Sequence, residues 1–443
     1  MPVFPDARGL AVTAASPEAV AHLDRSTDGF LAFDKETGDR LKPALAADPD
    51  CAMAHVQRGY YMLLMADRNL VPRAAKSAAA AEAAAPAATS REQAHAAALH
   101  QWAAGRFADA VTRWEAILVD HPLDVMALRL ANLGHFYAGD GKAMRDSLGR
   151  CLHAWDAGVP GYGYILGSYA FALEESGDYP AAERVGRQAI DINPADIWAT
   201  HAVAHVMEMQ ERPQEGIDWI TALDRNFAHC HNFTYHLWWH RALFHWDMGR
   251  YDEALALYDR EVRPESTEDA LDFSNAAALL WRLEHVGVDV GARWDELTSR
   301  ALARIDDHML VFNDAHFAMA IARADEATRA RYLASCRAYA VGRESQAGIM
   351  ADCGLAIVEG VLAFRQGDFA AAADRLAVAR PMLHRIGGSH AQRDVFDQIA
   401  AVAALRAGQW ARARALWSER VHRRPGCGWS RARYAEAMAG PAA

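Results

Sequence analysis

Gly105-Arg-Phe107-Ala-Asp-Ala110, Gly177-Asp-Tyr179-Pro-Ala-Ala182 and Gly249-Arg-Tyr251-Asp-Glu-Ala254 share one pattern, Gly-x-aromatic-x-x-Ala. It returns at Gly367-Asp-Phe369-Ala-Ala-Ala372 and at Gly408-Gln-Trp410-Ala-Arg-Ala413. The first three copies stand 72 residues apart, twice 36. Weaker turns lie between them at Gly139-Asp140-Gly141 and Arg212-Pro213, so the underlying period is roughly 34–38 residues. A glycine can end one helix in the left-handed conformation. The aromatic and alanine then open a second helix, where the small alanine lets two helices approach closely. The exits repeat as well, at Asp48-Pro49-Asp50, His121-Pro122-Leu123-Asp124 and Asn193-Pro194-Ala195-Asp196. Proline ends the preceding helix, and the following aspartate can cap the next one.

This period is that of the helix-turn-helix unit in tetratricopeptide (TPR) arrays. The expected fold is therefore all-α, with TPR-like helix-turn-helix repeats forming a right-handed superhelix, an α-solenoid. A single domain is expected over 1–443, clearest over 90–265 and 353–420 and less regular over 265–350. The alanine-rich stretch Ala74–Ala88 reads as a helix that stops near Pro86. No strand pattern competes.

The chain has 443 residues, is 52% hydrophobic and carries a net charge of −11. No basic stripe stands out, which argues against nucleic acid and against an anionic membrane surface as partners. No stretch approaches eighteen apolar residues without charge, so no membrane span is expected. Cys51, Cys151, Cys230, Cys336, Cys353 and Cys427 are scattered, as expected of free thiols in a reducing cytoplasm. The N-terminus lacks the basic start and apolar run of a signal peptide. Nucleophile-elbow, P-loop and dinucleotide signatures are missing. Gly161-Tyr-Gly163-Tyr164-Ile-Leu-Gly167 is expected to open a repeat helix rather than to bind phosphate.

Of twenty histidines, seven fall in one short window: His201, His205, His229, His231, His236, His240 and His245. His201, His205 and Glu208 stand at i, i+4 and i+7 and share a helix face. His236 and His240 repeat the i, i+4 spacing on the next unit's first helix. Counting the repeat from Asn193-Pro194 aims His201, His205 and Glu208 at the inner, concave stripe, with Trp198 one turn earlier. His95 falls on the same stripe of its own unit. Trp238, Trp239 and Trp246 make the second helix aromatic. Two histidines and a carboxylate suit Zn²⁺ or non-haem Fe²⁺, so His201, His205, Glu208 and His240 are candidate ligands of a divalent metal. The same groups, with His236, suit acid/base chemistry. They also fit a solvated groove stripe or hydrogen-bonded core histidines.

Two further spots carry polar groups in apolar surroundings. Asn313, Asp314 and His316 lie within Leu310–Phe317, where they cap a helix or join the groove. Ile386-Gly387-Gly388-Ser389-His390-Ala-Gln392-Arg393-Asp394 is a turn followed by a helix start, with Ser389 as N-cap. Arg393 can reach an anionic ligand or form a surface salt bridge. Cys230, between two histidines, is either a reactive thiol or a buried bystander.

The phrases Trp198-Ala-Thr-His201-Ala-Val-Ala-His205-Val-Met-Glu208-Met209, Trp239-His240-Arg-Ala-Leu243, Phe312-Asn313-Asp314-Ala-His316-Phe317 and Gly387-Gly388-Ser389-His390-Ala-Gln392-Arg393-Asp394-Val395-Phe396, with Met144-Arg145-Asp146-Ser147, resemble the tetratricopeptide repeat protein 38 family over nearly the whole length. The resemblance implies a cytoplasmic, all-helical TPR-like protein and no particular reaction. One departure is Leu237, where it implies an asparagine.

Together these readings favour a small-molecule enzyme with a histidine-rich site in the groove, working by hydrolytic or lyase-type acid/base chemistry, with or without a metal. His201, His205, Glu208, His236, His240, Asp314 and His316 are the catalytic candidates. Asn313, Arg393, Trp198 and Trp239 are the substrate-binding candidates. The competing expectation is an interaction module that binds a peptide in the groove. Assembly as a homodimer fits either.

Overall fold

The computed structural model describes residues 2–441. By contacts the chain divides into two compact units. The first runs to Val203 and adds Leu223–Thr234 and Arg343–Ser345; the second comprises Ala204–Ala222, Tyr235–Gly342 and the chain from Gln346 on.

In the first unit, helices α1 (Pro17–Leu31), α2 (Thr37–Ala47), α3 (Ala52–Leu64), α4 (Val71–Ala84), α5 (Ser90–Ala103) and α6 (Phe107–Asp120) follow a short antiparallel hairpin of Val3–Pro5 with Ala11–Thr13. The hairpin was not expected from the sequence. Helices α7 (Val125–Tyr137), α8 (Gly141–Cys151), α9 (Tyr162–Glu175) and α10 (Tyr179–Ile192) complete the series. Neighbours pack in sequence order as helical hairpins, α1 with α2, α3 with α4, α5 with α6 and α9 with α10. Helix α11 (Ile197–Met209) begins in this unit, and its residues from Ala204 on belong to the second.

The second unit continues with α12 (Pro213–Leu223), α13 (Phe233–Asp247), α14 (Tyr251–Leu257), α15 (Ala270–His285), α16 (Arg293–Ala303), α17 (Val311–Ile321) and α18 (Glu326–Ala340). It closes with α19 (Ser345–Arg365), α20 (Phe369–Ala379), α21 (His390–Arg406), α22 (Trp410–Arg423) and α23 (Gly428–Ala439). Helix α19 is long and apolar enough to cross a bilayer by length and composition, but 56% of that stretch is buried. Glu359 on it pairs with Arg337 and Arg375, and it reads as a core helix.

The fold bears out the repeat punctuation. Gly105, Gly177, Gly249, Gly367 and Gly408 all have φ between 67° and 84°, the left-handed region that L side chains avoid. The next helices start at or beside the aromatic, and Ala110, Ala182, Ala254, Ala372 and Ala413 are buried. Asp124 caps α7 by accepting from the Ala127 amide, and Asp196 caps α11 by accepting from the Trp198 and Ala199 amides. At the first exit the cap position falls on Cys51 without a side-chain bond; Asp50 does not cap. Pro86 sits in the short turn Ala85–Ala87 after α4, as its ring requires. Between the repeat copies at Gly249 and Gly367, single π-helical turns occur at Tyr258–Val262 and Met350–Gly354. Each adds a residue to a turn, which moves the regular register out of phase there.

Candidate functional site

Helix α11 carries its polar stripe across about two turns because its apolar residues (Val203, Val206, Met207) take the other side. From Ala204 on it packs its stripe against α13, and His205, His236 and His240 are all buried. One ring nitrogen of each lies within 4.8 Å of the others. Ring centroids are 4.3 Å apart for His205 and His240 and 4.9 Å apart for His236 and His240. Two of the rings are oriented from behind. His236 Nδ1–H donates to Asn275 Oδ1 at 3.0 Å, and His240 Nδ1–H donates to Glu208 Oε2 at 2.8 Å. Trp239 stacks on His236 at 5.4 Å and is itself buried beneath the Arg282 guanidinium.

Burial sets the protonation of this seam. It pushes His240 down to about 3, aided by the nearby Arg282 charge. It pushes His236 well below the usual imidazole value, helped by His240 and opposed by Asn275. Burial raises Glu208 to about 7 against the pull of Arg424 and Arg282. Both members of the Glu208–His240 contact are driven toward neutrality, so the contact is a hydrogen bond more than an ion pair.

His201 and Trp198 belong to the first unit. The His201 ring packs on Phe171 and Trp198, each at 5.1 Å, one helical turn before His205. Trp198 is buried, stacked on Phe33 at 5.5 Å with the Arg129 guanidinium 5.1 Å from its ring. Trp198 and Trp239 were expected to contact a ligand; both are core residues because their indoles fill gaps between helices. Cys230 is also buried, and burial raises its thiol to about 12, the reverse of an activated thiolate.

The second unit holds a cavity of about 570 Å³. Arg380, Arg393, Arg412, Arg420, Arg423 and Arg424 line it, with Glu208, Asp394, Asp397 and Glu419 among them. Two of the sequence candidates, Glu208 and Arg393, reach this cavity. Ser389 caps α21 in a reciprocal box with Gln392, which presents Arg393 and Asp394 in the first turn. Arg393 donates to the Gly388 carbonyl. Arg420 grips Asp394 with two hydrogen bonds, at 2.5 and 2.8 Å. Burial opposes ionisation of Asp394, but Arg420, Arg424 and Arg282 outweigh it and hold the carboxyl well below its usual range. Arg424 pairs with Asp247 at 2.8 Å.

The polar residues of α17 are engaged elsewhere. Asp314 accepts from His308 Nδ1 at 2.9 Å and from the Tyr332 hydroxyl at 3.2 Å. His316 Nδ1–H donates to the Phe312 carbonyl, and burial lowers its imidazole to about 4. Asn313 is buried on the same helix. Helix α17 is buried along its whole length, and Asp314 and His316 take local partners, as the cost of burial requires.

The first unit contains a network that the sequence reading did not assemble. Asp124 pairs with Arg91 at 2.6 Å and with His95 Nε2 at 2.9 Å. The Tyr60 hydroxyl donates to the His95 carbonyl at 3.0 Å and accepts from Trp114 Nε1 at 2.9 Å. The signal for it was the i, i+4 pair Arg91 and His95 on α5, next to the cap aspartate of α7.

No protein-family model matches the chain. Among solved structures, a tetratricopeptide repeat protein from Parabacteroides merdae is similar at 16% identity, with 64% of this chain and 99% of that one covered and a TM-score of 0.36. The human IFIT1 dimer with m7Gppp-AAAA is similar at 14% identity, covering 96% and 95% of the two chains with a TM-score of 0.40. Yeast Tom70 is similar at 13% identity, covering 95% and 96% with a TM-score of 0.34. At such values the assignment of TPR-like helical repeats rests on the helices and turns described above.

Proposed function

We propose that this chain is an interaction module whose second unit takes an acidic peptide segment in the arginine-lined cavity. One observation carries the reading: six guanidinium groups converge on a single ligand-sized cavity in a chain of net charge −11. A local cationic concavity on an acidic protein focuses field on anionic groups. Guanidinium forks suit carboxylates, which they bind in bidentate fashion. The lining carboxylates pair with several of the forks; Arg412 (with Asp374) and Arg423 (with Glu419) are the exposed pairs, their side chains 36% and 50% exposed. The tetratricopeptide repeat protein 38 resemblance is consistent with this and assigns no reaction. The acid/base enzyme has less support, because His205, His236 and His240 are buried while the cavity wall is guanidinium.

The test is fluorescence anisotropy with a labelled peptide rich in Asp and Glu, a neutral isostere and a single-stranded oligonucleotide of equal charge. The acidic peptide should bind, and the Arg412→Ala/Arg423→Ala double variant should bind it at least about tenfold more weakly. Stronger binding of the oligonucleotide, or equal binding of acidic and neutral peptides, contradicts the proposal.

A further inference from the structure

The buried histidines of the second unit are not used by the cavity, and they are arranged as a ligand set. We infer that His205, His236 and His240 form a site for a borderline divalent transition metal, Zn²⁺ or a close analogue. The first argument is convergence. Three imidazoles from two helices bring one nitrogen each to within 4.8 Å of the others. A tetrahedral Zn²⁺ with bonds of about 2.1 Å needs its donors about 3.4 Å apart, a closure that small imidazole rotations supply.

The second argument is orientation. Metal-binding imidazoles characteristically donate their other ring N–H to a carboxylate or carbonyl, which fixes the tautomer. His236 does so to Asn275 Oδ1 and His240 to Glu208 Oε2. In both rings this leaves Nε2 as the lone-pair nitrogen. Glu208, expected from the helix spacing to be a ligand, is placed as the orienting carboxylate instead. It also lines the arginine cavity.

The donor set decides the class of ion. Neutral imidazoles suit Zn²⁺, Co²⁺ or Fe²⁺, whereas Ca²⁺ and Mg²⁺ require oxygen cages.

The experiment titrates Co²⁺ into the chelator-treated full-length chain and reads visible d–d absorption, with Zn²⁺ competition to set affinity. One Co²⁺ per chain is expected, displaced by one Zn²⁺. His240→Gln should abolish the signal with an unchanged circular dichroism spectrum. Glu208→Gln, which keeps the side-chain shape, should weaken Zn²⁺ by about 10–100-fold; if His240→Gln does not fold, this variant carries the test. Absence of saturable uptake overturns the inference. So does a thiolate-to-cobalt charge-transfer band, or wild-type affinity in folded His240→Gln or in Glu208→Gln.

Discussion

Replacing Asp394 by Asn tests the electrostatics of the cavity and the cost of building it in one variant. The wild-type carboxylate takes two hydrogen bonds from Arg420 and one from Gln398 at 2.7 Å, beside the charges of Arg424 and Arg282. The Arg420 and Asp394 side chains are 3% and 16% exposed. Removing one partner of a buried pair leaves the other charge uncompensated and costs about 3–5 kcal/mol. Partial solvent access to Asp394 places the expected loss near the lower end, about 3 kcal/mol. For a unit of this size that corresponds to a fall of roughly 6–12 °C in Tm. The pH dependence has a definite sign. The folded carboxyl titrates below its unfolded value of about 3.9. Its stabilisation is therefore fully present above that value and is lost as pH falls through the folded one. The gap between wild type and variant should stay constant from pH 5 to 8 and narrow below about pH 4. The same substitution makes the cavity more positive, so the acidic peptide should bind more tightly while the fold weakens. Urea and thermal unfolding at several pH values, with anisotropy on the same samples, measure both. A stability change under about 1 kcal/mol, or weaker peptide binding, refutes the reasoning.

Further expectations follow from the turns and caps. Gly177→Ala should cost about 1–2 kcal/mol, because φ is 84° and the space for a Cβ is open, so the cost is conformational alone; unfolding of Gly149→Ala, a helical position with equally open space, serves as the control. Asp196 is raised to about 7 by burial, against the Ala199 amide and Arg129. The folded state holds its proton more tightly than the unfolded chain, so this group lowers stability as pH rises from about 4 to 7. Asp196→Asn keeps a cap acceptor and cannot ionise, so its stability relative to wild type should rise by a few kcal/mol across that window, as unfolding at pH 4.5 and 8 will report. Glu208→Gln should leave the unfolding transition of the metal-depleted chain nearly unchanged while weakening Zn²⁺ as stated above; a collapse of the fold would contradict the placing of its carboxyl as a nearly neutral hydrogen-bonding group.

The architecture was legible because its signals are local. A glycine with positive φ, an aromatic at the helix start and a buried alanine three residues later all fall within six residues. The aspartates at 124 and 196 were legible as caps for the same reason, and Asp50 failed where the chain shifted its cap by one residue to Cys51. The polar stripe of α11 was phased by the repeat, and the i, i+4 pair on α13 was visible in the spacing. Their burial was not, because it depends on which helix covers the stripe. Nor was the partner of His236 legible, since its ring reaches Asn275 on α15, 39 residues away. The arginine cavity was the least legible feature. Its wall joins Glu208 to residues between 373 and 424, and no local pattern reports that juxtaposition. A denser run of arginines from Arg380 to Arg424 in an acidic chain was the available signal. The two π turns also escaped notice, since a single added residue leaves no mark in composition.

Isothermal titration of the full-length chain with an acidic peptide, at low and at high salt, addresses the role of the arginine cavity most directly. The account expects one saturable site per chain whose affinity falls as salt rises, with release of ions from the guanidinium wall. No measurable binding at low salt, or binding indifferent to salt and to the charge of the peptide, would contradict it.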